Sequence, residues 1–245
     1  MGLLRRRWFQ IFVSGLILLY LVERTLVATS NPNYVPSVIL LGAFLVPITF
    51  VTYLYERLPD REILLPQVAI CFICGGVLGT VVAGTLEYDV MRALGFLPKL
   101  GIGLIEESAK LIVPLIFYFA GRYRSEAAGI VLGVVNAAGF AGLETMGYGF
   151  VSLLTSKDNL GVLDEVLLVR GLTSPAGHMA WTGLVCAVLW RETQGGACNP
   201  RLAGTRRFLD GGGAARLVGH LRELQERYLR RVVERGATEP AGGAG

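Results

Sequence analysis

Six apolar blocks follow one another along the 245 residues. They run from about Trp8 to Val22, with an extension to Ala28, then Val35 to Tyr55, Ile63 to Leu86, Leu97 to Ala120, Ala127 to Leu154 and Val166 to Trp190. A bilayer core needs about 20 apolar residues of α-helix to cross it. In lipid a helix satisfies its own backbone polar groups, so a run of such blocks reads as helices and not as open strands. The pattern predicts an all-α fold, a polytopic membrane helix bundle with about six transmembrane helices.

Composition agrees with that pattern. The chain is 53% hydrophobic and 17% charged, whereas a soluble domain is about a quarter charged. Loop charges give an orientation. With the N-terminus inside, inner loops before the sixth block hold Arg5, Arg6, Arg7, Arg57, Arg61, Arg122 and Arg124, against Arg24, Arg92, Lys99 and Lys157 outside. The excess of inner Arg and Lys predicts an N-in, C-in chain. Arg5-Arg6-Arg7 ahead of the first block has no A-x-A-like site after it and reads as an uncleaved signal-anchor. The net charge is +4, but ten of the basic residues lie at or beyond Arg191. The excess therefore describes a tail and suits lipid contact, not nucleic acid. Residues 1–192 form the expected transmembrane domain. Residues 193–245 form a basic, Gly/Arg-rich cytoplasmic tail of disordered composition, with an amphipathic helix near 214–235 that places Leu217, Leu221, Leu224, Tyr228 and Val232 on one face.

Small residues mark packing. Gly75, Gly76 and Gly79 in the third block, and Gly129 and Gly133 in the fifth, let helix backbones approach closely. Cys71 and Cys74 form C-x-x-C inside an apolar block with no second pair, so they read as packing residues. Pro114 and Pro175 each remove one helix hydrogen bond, to the carbonyls of Lys110 and Gly171.

The charged positions inside the blocks carry the chemistry. Glu106, Glu107 and Lys110 sit in the fourth block, and the i,i+3 and i,i+4 spacings to Lys110 share a helix face. The fifth presents Asn136, Phe140, Glu144 and Tyr148 four apart. The sixth presents Arg170, Ser174, His178 and Thr182, also four apart. Counting helical rise from the outer ends places Glu106, Glu144 and His178 about 14, 15 and 18 Å deep. Ionisable groups at such depth are costly and mark function by default. Carboxylates with an imidazole suit proton-coupled transport, or hydrolysis in which a carboxylate takes a proton from water and the histidine serves the oxyanion or leaving amine. Glu, Glu and His also make a zinc donor set, but H-E-x-x-H is absent and one histidine lies in a block. The favoured reading uses no metal and no cofactor.

Three motifs together resemble a family. Glu106-Glu107-Ser108-Ala109-Lys110 fits E-E-x-x-K, Phe140 to Glu144 fits F-x-x-x-E, and RGLTSPAGHMAWT from Arg170 to Thr182 is similar to an R…P…H…T helix. In this order they resemble the PrsW-type intramembrane proteases, relatives of the CAAX-processing prenyl endopeptidases. The CAAX pattern has an Arg one residue later in the first motif and a His ending the second, so Lys110 and Glu144 place the likeness in the PrsW branch. The resemblance covers about Phe96 to Trp190. It implies a glutamic-type endopeptidase of a bacterial-type cytoplasmic membrane that cuts single-span membrane proteins, such as an anti-sigma factor, in regulated intramembrane proteolysis. It implies Glu106 and Glu107 as water activators, His178 as acid or oxyanion partner and Glu144 as a fourth catalytic residue that orients or shares in this. Lys110 is then the anchor, with Phe140, Arg170 and Thr182 in support. After Trp190 the chain departs from the family, where a further apolar block with another polar motif usually follows. The alternative is a non-catalytic or truncated relative acting as a membrane binding partner, or a proton-coupled carrier.

Overall fold

A computed structural model describes residues 3–58, 63–121 and 123–194. Among these residues every regular element is helical. Helix α1 spans Arg7–Thr29, α2 Val35–Arg57, α3 Leu65–Leu94, α4 Lys99–Phe119, α5 Glu126–Thr155, α6 Leu160–Ser174 and α7 Ala180–Gln194. A π-helical turn, Pro175–Met179, joins α6 to α7. The amphipathic helix expected near 214–235, and the tail from residue 195 on, lie outside the described residues.

Four helices are long and apolar enough to cross a membrane: α1, α2 with its preceding turn, α3 and α5. The chain is thus an integral membrane protein by composition and length. Helix α4 falls outside that set because it carries Glu106, Glu107 and Lys110 within 21 residues. The sixth apolar block is divided by the π turn into α6 and α7, of 15 residues each.

Helix ends follow local chemistry where hydropathy alone does not mark them. Helix α3 passes Glu87 and Asp89 and stops at Gly95, whose φ of 71° is a left-handed C-cap. The apolar block stops at Leu86, eight residues before the last helical residue Leu94, because polar residues continue the helix beyond it. Helix α6 starts ahead of its apolar block because the Asn159 side chain accepts hydrogen bonds from the Gly161 and Val162 N–H groups. The Ser125 side chain caps α5 in the same way, accepting from Ala128 N–H.

Helix α5 is the axis of the bundle. It packs on α2, α3, α4, α6 and α7, and its own buried residues run from Ala128 to Leu153. Small residues make this density of neighbours feasible. A Cβ on Gly139 would stand 2.0 Å from the Phe72 carbonyl oxygen, and one on Gly76 would stand 2.7 Å from the Gly139 carbonyl carbon, so α3 and α5 meet backbone to backbone. On the far side Gly129 and Gly133 receive Trp190 and Cys186 of α7. Cys71 is buried, with its thiol directed at the Leu132 carbonyl, and both Cys71 and Cys74 are free thiols. Gly139→Ala is expected to destabilise the bundle by at least about 1–3 kcal/mol, since backbone cannot step aside as a side chain can. Gly147→Ala, with open space around its Cβ, is expected to gain up to about 1 kcal/mol of helix propensity. Thermal denaturation of the two variants in one detergent separates these outcomes, and equal melting would contradict the close approach.

Candidate active site

Helix α4, the π turn and the flanking ends of α6 and α7 converge beside the middle of α5. Helix α4 supplies Glu106, Glu107 and Lys110. The π turn supplies His178, flanked by Arg170 on α6 and Thr182 on α7. Helix α5 itself supplies Asn136, Phe140, Glu144, Thr145 and Tyr148.

Lys110 is the hub. Its side chain is fully buried, which an ammonium tolerates only when paired. Its Nζ lies 2.5 Å from Glu107 Oε1 and 4.0 Å from Glu106 Oε2. It also lies 2.8 Å from His178 Nδ1 and 4.6 Å from the centre of the Phe140 ring. Both glutamates therefore share one cation, with Glu107 the closer. Thr182 Oγ1 donates to the other oxygen of Glu107, Oε2, at 3.2 Å.

His178 links this group to a second one. Its Nε2 stands 3.2 Å from Glu144 Oε2, and Arg170 Nη2 stands 2.8 Å from the same oxygen. An ammonium has protons to give and no lone pair. Nδ1 facing Lys110 is thus the acceptor, and Nε2 carries the proton toward Glu144. Arg170 is itself fixed from two sides, since Nε donates to Thr145 Oγ1 at 3.2 Å and the guanidinium lies 4.0 Å over the Tyr148 ring. The Phe140 ring lies 5.8 Å from the imidazole.

The sequence of contacts Glu107–Lys110–His178–Glu144–Arg170 is unbroken. The structure brings together all eight residues singled out by spacing and motif: Glu106, Glu107, Glu144, His178, Lys110, Phe140, Arg170 and Thr182. It adds Thr145, which no motif marks, and two members of the α5 stripe whose partners lie on other helices. Tyr148 lies under Arg170, and Asn136 donates from Nδ2 to the Lys110 carbonyl at 2.6 Å. The expected break at Pro175 is a widened turn, in which Ala180 N–H bonds to the Pro175 carbonyl five residues back. Such π turns are frequent at functional sites, and this one carries the histidine.

The exposures separate two classes of group. Lys110 and Arg170 are closed off, whereas the Glu107 side chain is 21% exposed, His178 15% and Glu144 14%. Glu106 is nearly closed, at 6%. The two cations are enclosed, and Glu107, His178 and Glu144 keep partial exposure. Such an arrangement can accept a proton from a polar group, keep the imidazole in one tautomer and offer Nε2–H to a developing negative charge.

A family model described as PrsW family intramembrane metalloprotease matches residues 65–215. The match is wider than the likeness read from motifs between Phe96 and Trp190, taking in all of α3 and the start of the tail. No curated protein and no solved structure matches the chain. The family's description names a metal, and the donors here are already engaged. Lys110 already faces Glu107 Oε1 and His178 Nδ1, and Arg170 and His178 both occupy Glu144 Oε2. A divalent cation among these atoms would meet an ammonium at contact distance. Among the described residues no group of three His, Cys, Asp or Glu is arranged to hold a metal ion. The donor set as arranged does not fit a metal.

Proposed function

The chain belongs to the PrsW family of intramembrane proteases, a peptidase family of integral membrane proteins, and on that premise we propose that it hydrolyses single-span membrane proteins with water activated by Glu107. The observation that carries this reading is His178, held between Lys110 at 2.8 Å and Glu144 at 3.2 Å.

In this mechanism Glu107, fixed by Lys110 and Thr182, accepts a proton from a water molecule on its exposed side. The hydroxide oxygen bonds to the scissile carbonyl carbon. The oxyanion that forms takes over the Nε2–H of His178, which in the resting site points at Glu144. Arg170 holds Glu144 in place, so the imidazole retains its orientation through the exchange. Collapse breaks the C–N bond, and the proton held by Glu107 passes to the leaving amine. Glu106 adds negative charge beside Lys110, so the ammonium keeps a counter-charge while Glu107 cycles between its two states.

The same reading gives the chain six crossings in a bacterial-type cytoplasmic membrane, N-in and C-in. The charges that set α4 apart from the other spans face partners inside the bundle. The distribution of Arg and Lys among the loops supports the orientation.

Co-expression with a library of single-span proteins, followed by N-terminal sequencing of released fragments, tests the function. A client cut in or beside its span, and left whole by Glu107→Ala, is the expected result. Clients that are bound but uncut, or cut equally by the variant, would place the chain among non-catalytic relatives. Solute movement by the purified protein in vesicles would make it a carrier.

A further inference from the structure

Helix α4 contains a fault that another helix repairs. Pro114 has no N–H, so the Lys110 carbonyl loses the hydrogen bond that residue 114 would otherwise give it. Lys110 is fully buried, and its carbonyl has little access to water. Asn136 of α5, also fully buried, reaches across and donates Nδ2 to that carbonyl at 2.6 Å. The amide can face only one way, because the opposite orientation would set two oxygens against each other. Its Oδ1 lies against Gly75 of α3, where a Cβ would stand 1.7 Å from it. A proline on α4, an asparagine on α5 and a glycine on α3 therefore fit one another around a single peptide unit. That unit bears the ammonium on which Glu107 and His178 converge.

We propose that Asn136 is a positioning residue for the reaction: by replacing the donor that Pro114 removes, it fixes the turn of α4 that aims Lys110 between Glu107 and His178. This rests on the reading of that cluster as the hydrolytic site. Asn136 touches neither a carboxylate of the cluster nor the imidazole in any hydrogen bond of the described residues, and it acts through the backbone of Lys110.

The test uses a property of the chain's composition. It has two histidines, so His220→Gln in the 245-residue chain leaves His178 as its sole imidazole for ¹⁵N NMR in lipid nanodiscs. The parent is expected to show a single tautomer, protonated at Nε2. Asn136→Ala is expected to mix the tautomers and to lower kcat for a cleaved single-span client by about 10- to 100-fold with KM little changed, the size of loss a small misplacement of a reacting group produces. Pro114→Ala restores an N–H at position 114, so Pro114→Ala/Asn136→Ala is expected to return the single tautomer and to match Pro114→Ala within about threefold, as coupled sites do when their shared interaction is replaced. An unchanged spectrum and rate in Asn136→Ala would overturn the proposal, as would a double variant no better than Asn136→Ala. Should Asn136→Ala fail to accumulate, a double variant that accumulates with the parent spectrum supports the proposal and one that does not accumulate refutes it. If the parent cuts no client while the spectra behave as described, the hydrolytic reading fails and the positioning of Lys110 by Asn136 stands.

Discussion

Glu107→Gln is expected to abolish cleavage of a membrane-anchored client while leaving the protein folded and at normal abundance. A general base contributes about 10²–10⁴-fold to rate, so the loss should be at least about 100-fold in kcat by the same principle. The glutamine keeps the length of the side chain and an oxygen that accepts from Lys110, now 2.5 Å from Glu107. What it lacks is the capacity to hold a proton taken from water. Glu107→Ala should be as inactive and less stable, because it also leaves the Lys110 ammonium without its nearest counter-charge. His178→Ala should match it in activity, since Nε2–H is the donor proposed for the oxyanion and the imidazole also joins the Lys110 and Glu144 halves of the site. Glu106→Gln should be milder, as its carboxylate is 4.0 Å from Lys110 and nearly closed to solvent. The measurement is release of a client fragment at matched enzyme level. Full activity of Glu107→Gln would remove Glu107 from the chemistry, and a reversal of the Glu106 and Glu107 effects would exchange their roles.

The distinction between the two glutamates shows where one helix's period stops being informative. The spacing of Glu106, Glu107 and Lys110 places both carboxylates within reach of the lysine. It does not say which is nearer, because adjacent residues point about 100° apart and the facing helix decides. That helix is α7, whose Thr182 selects Glu107. Depth was legible for the same reason that the helical rise is constant. Glu144 and His178, counted from different ends of different blocks, arrive at one level and are in contact.

What the sequence withheld was the pairing across helices. Asn136 belongs to the same stripe as Phe140 and Glu144, yet its partner is a carbonyl on α4 left without a donor by a proline that is far away in sequence. Pro175 indicated a break, but whether a helix kinks or widens there depends on neighbours. Here the turn widens and His178 lies within it. The charged face of α4, which sets it apart from the four plainly apolar spans, is the face that builds the site.

Lys110→Met is expected to be the most destabilising change in the site. Breaking a buried ion pair by removing one partner costs about 3–5 kcal/mol, because the remaining charge stays desolvated. Here two carboxylates are left behind, at 2.5 and 4.0 Å from the vacated ammonium. Methionine nearly fills the volume of the lysine stem, so the loss reports charge and not a cavity. Lys110→Arg should not restore stability. The side chain is enclosed between the Phe140 ring at 4.6 Å and His178 at 2.8 Å, and a planar guanidinium needs more room than a compact ammonium. The decisive variant is Glu106→Gln/Glu107→Gln/Lys110→Met, which removes the cation and both carboxylates together. Replacing both sides of a buried polar pair can be nearly neutral even where removing one side is severe. The triple variant should therefore melt close to the parent in detergent and remain inactive, separating the energetic role of the cluster from its chemical one. A Lys110→Met protein that melts like the parent would mean that the lysine does not hold the glutamates. A triple variant as unstable as Lys110→Met would trace the loss to packing around the lysine stem and not to the stranded charge.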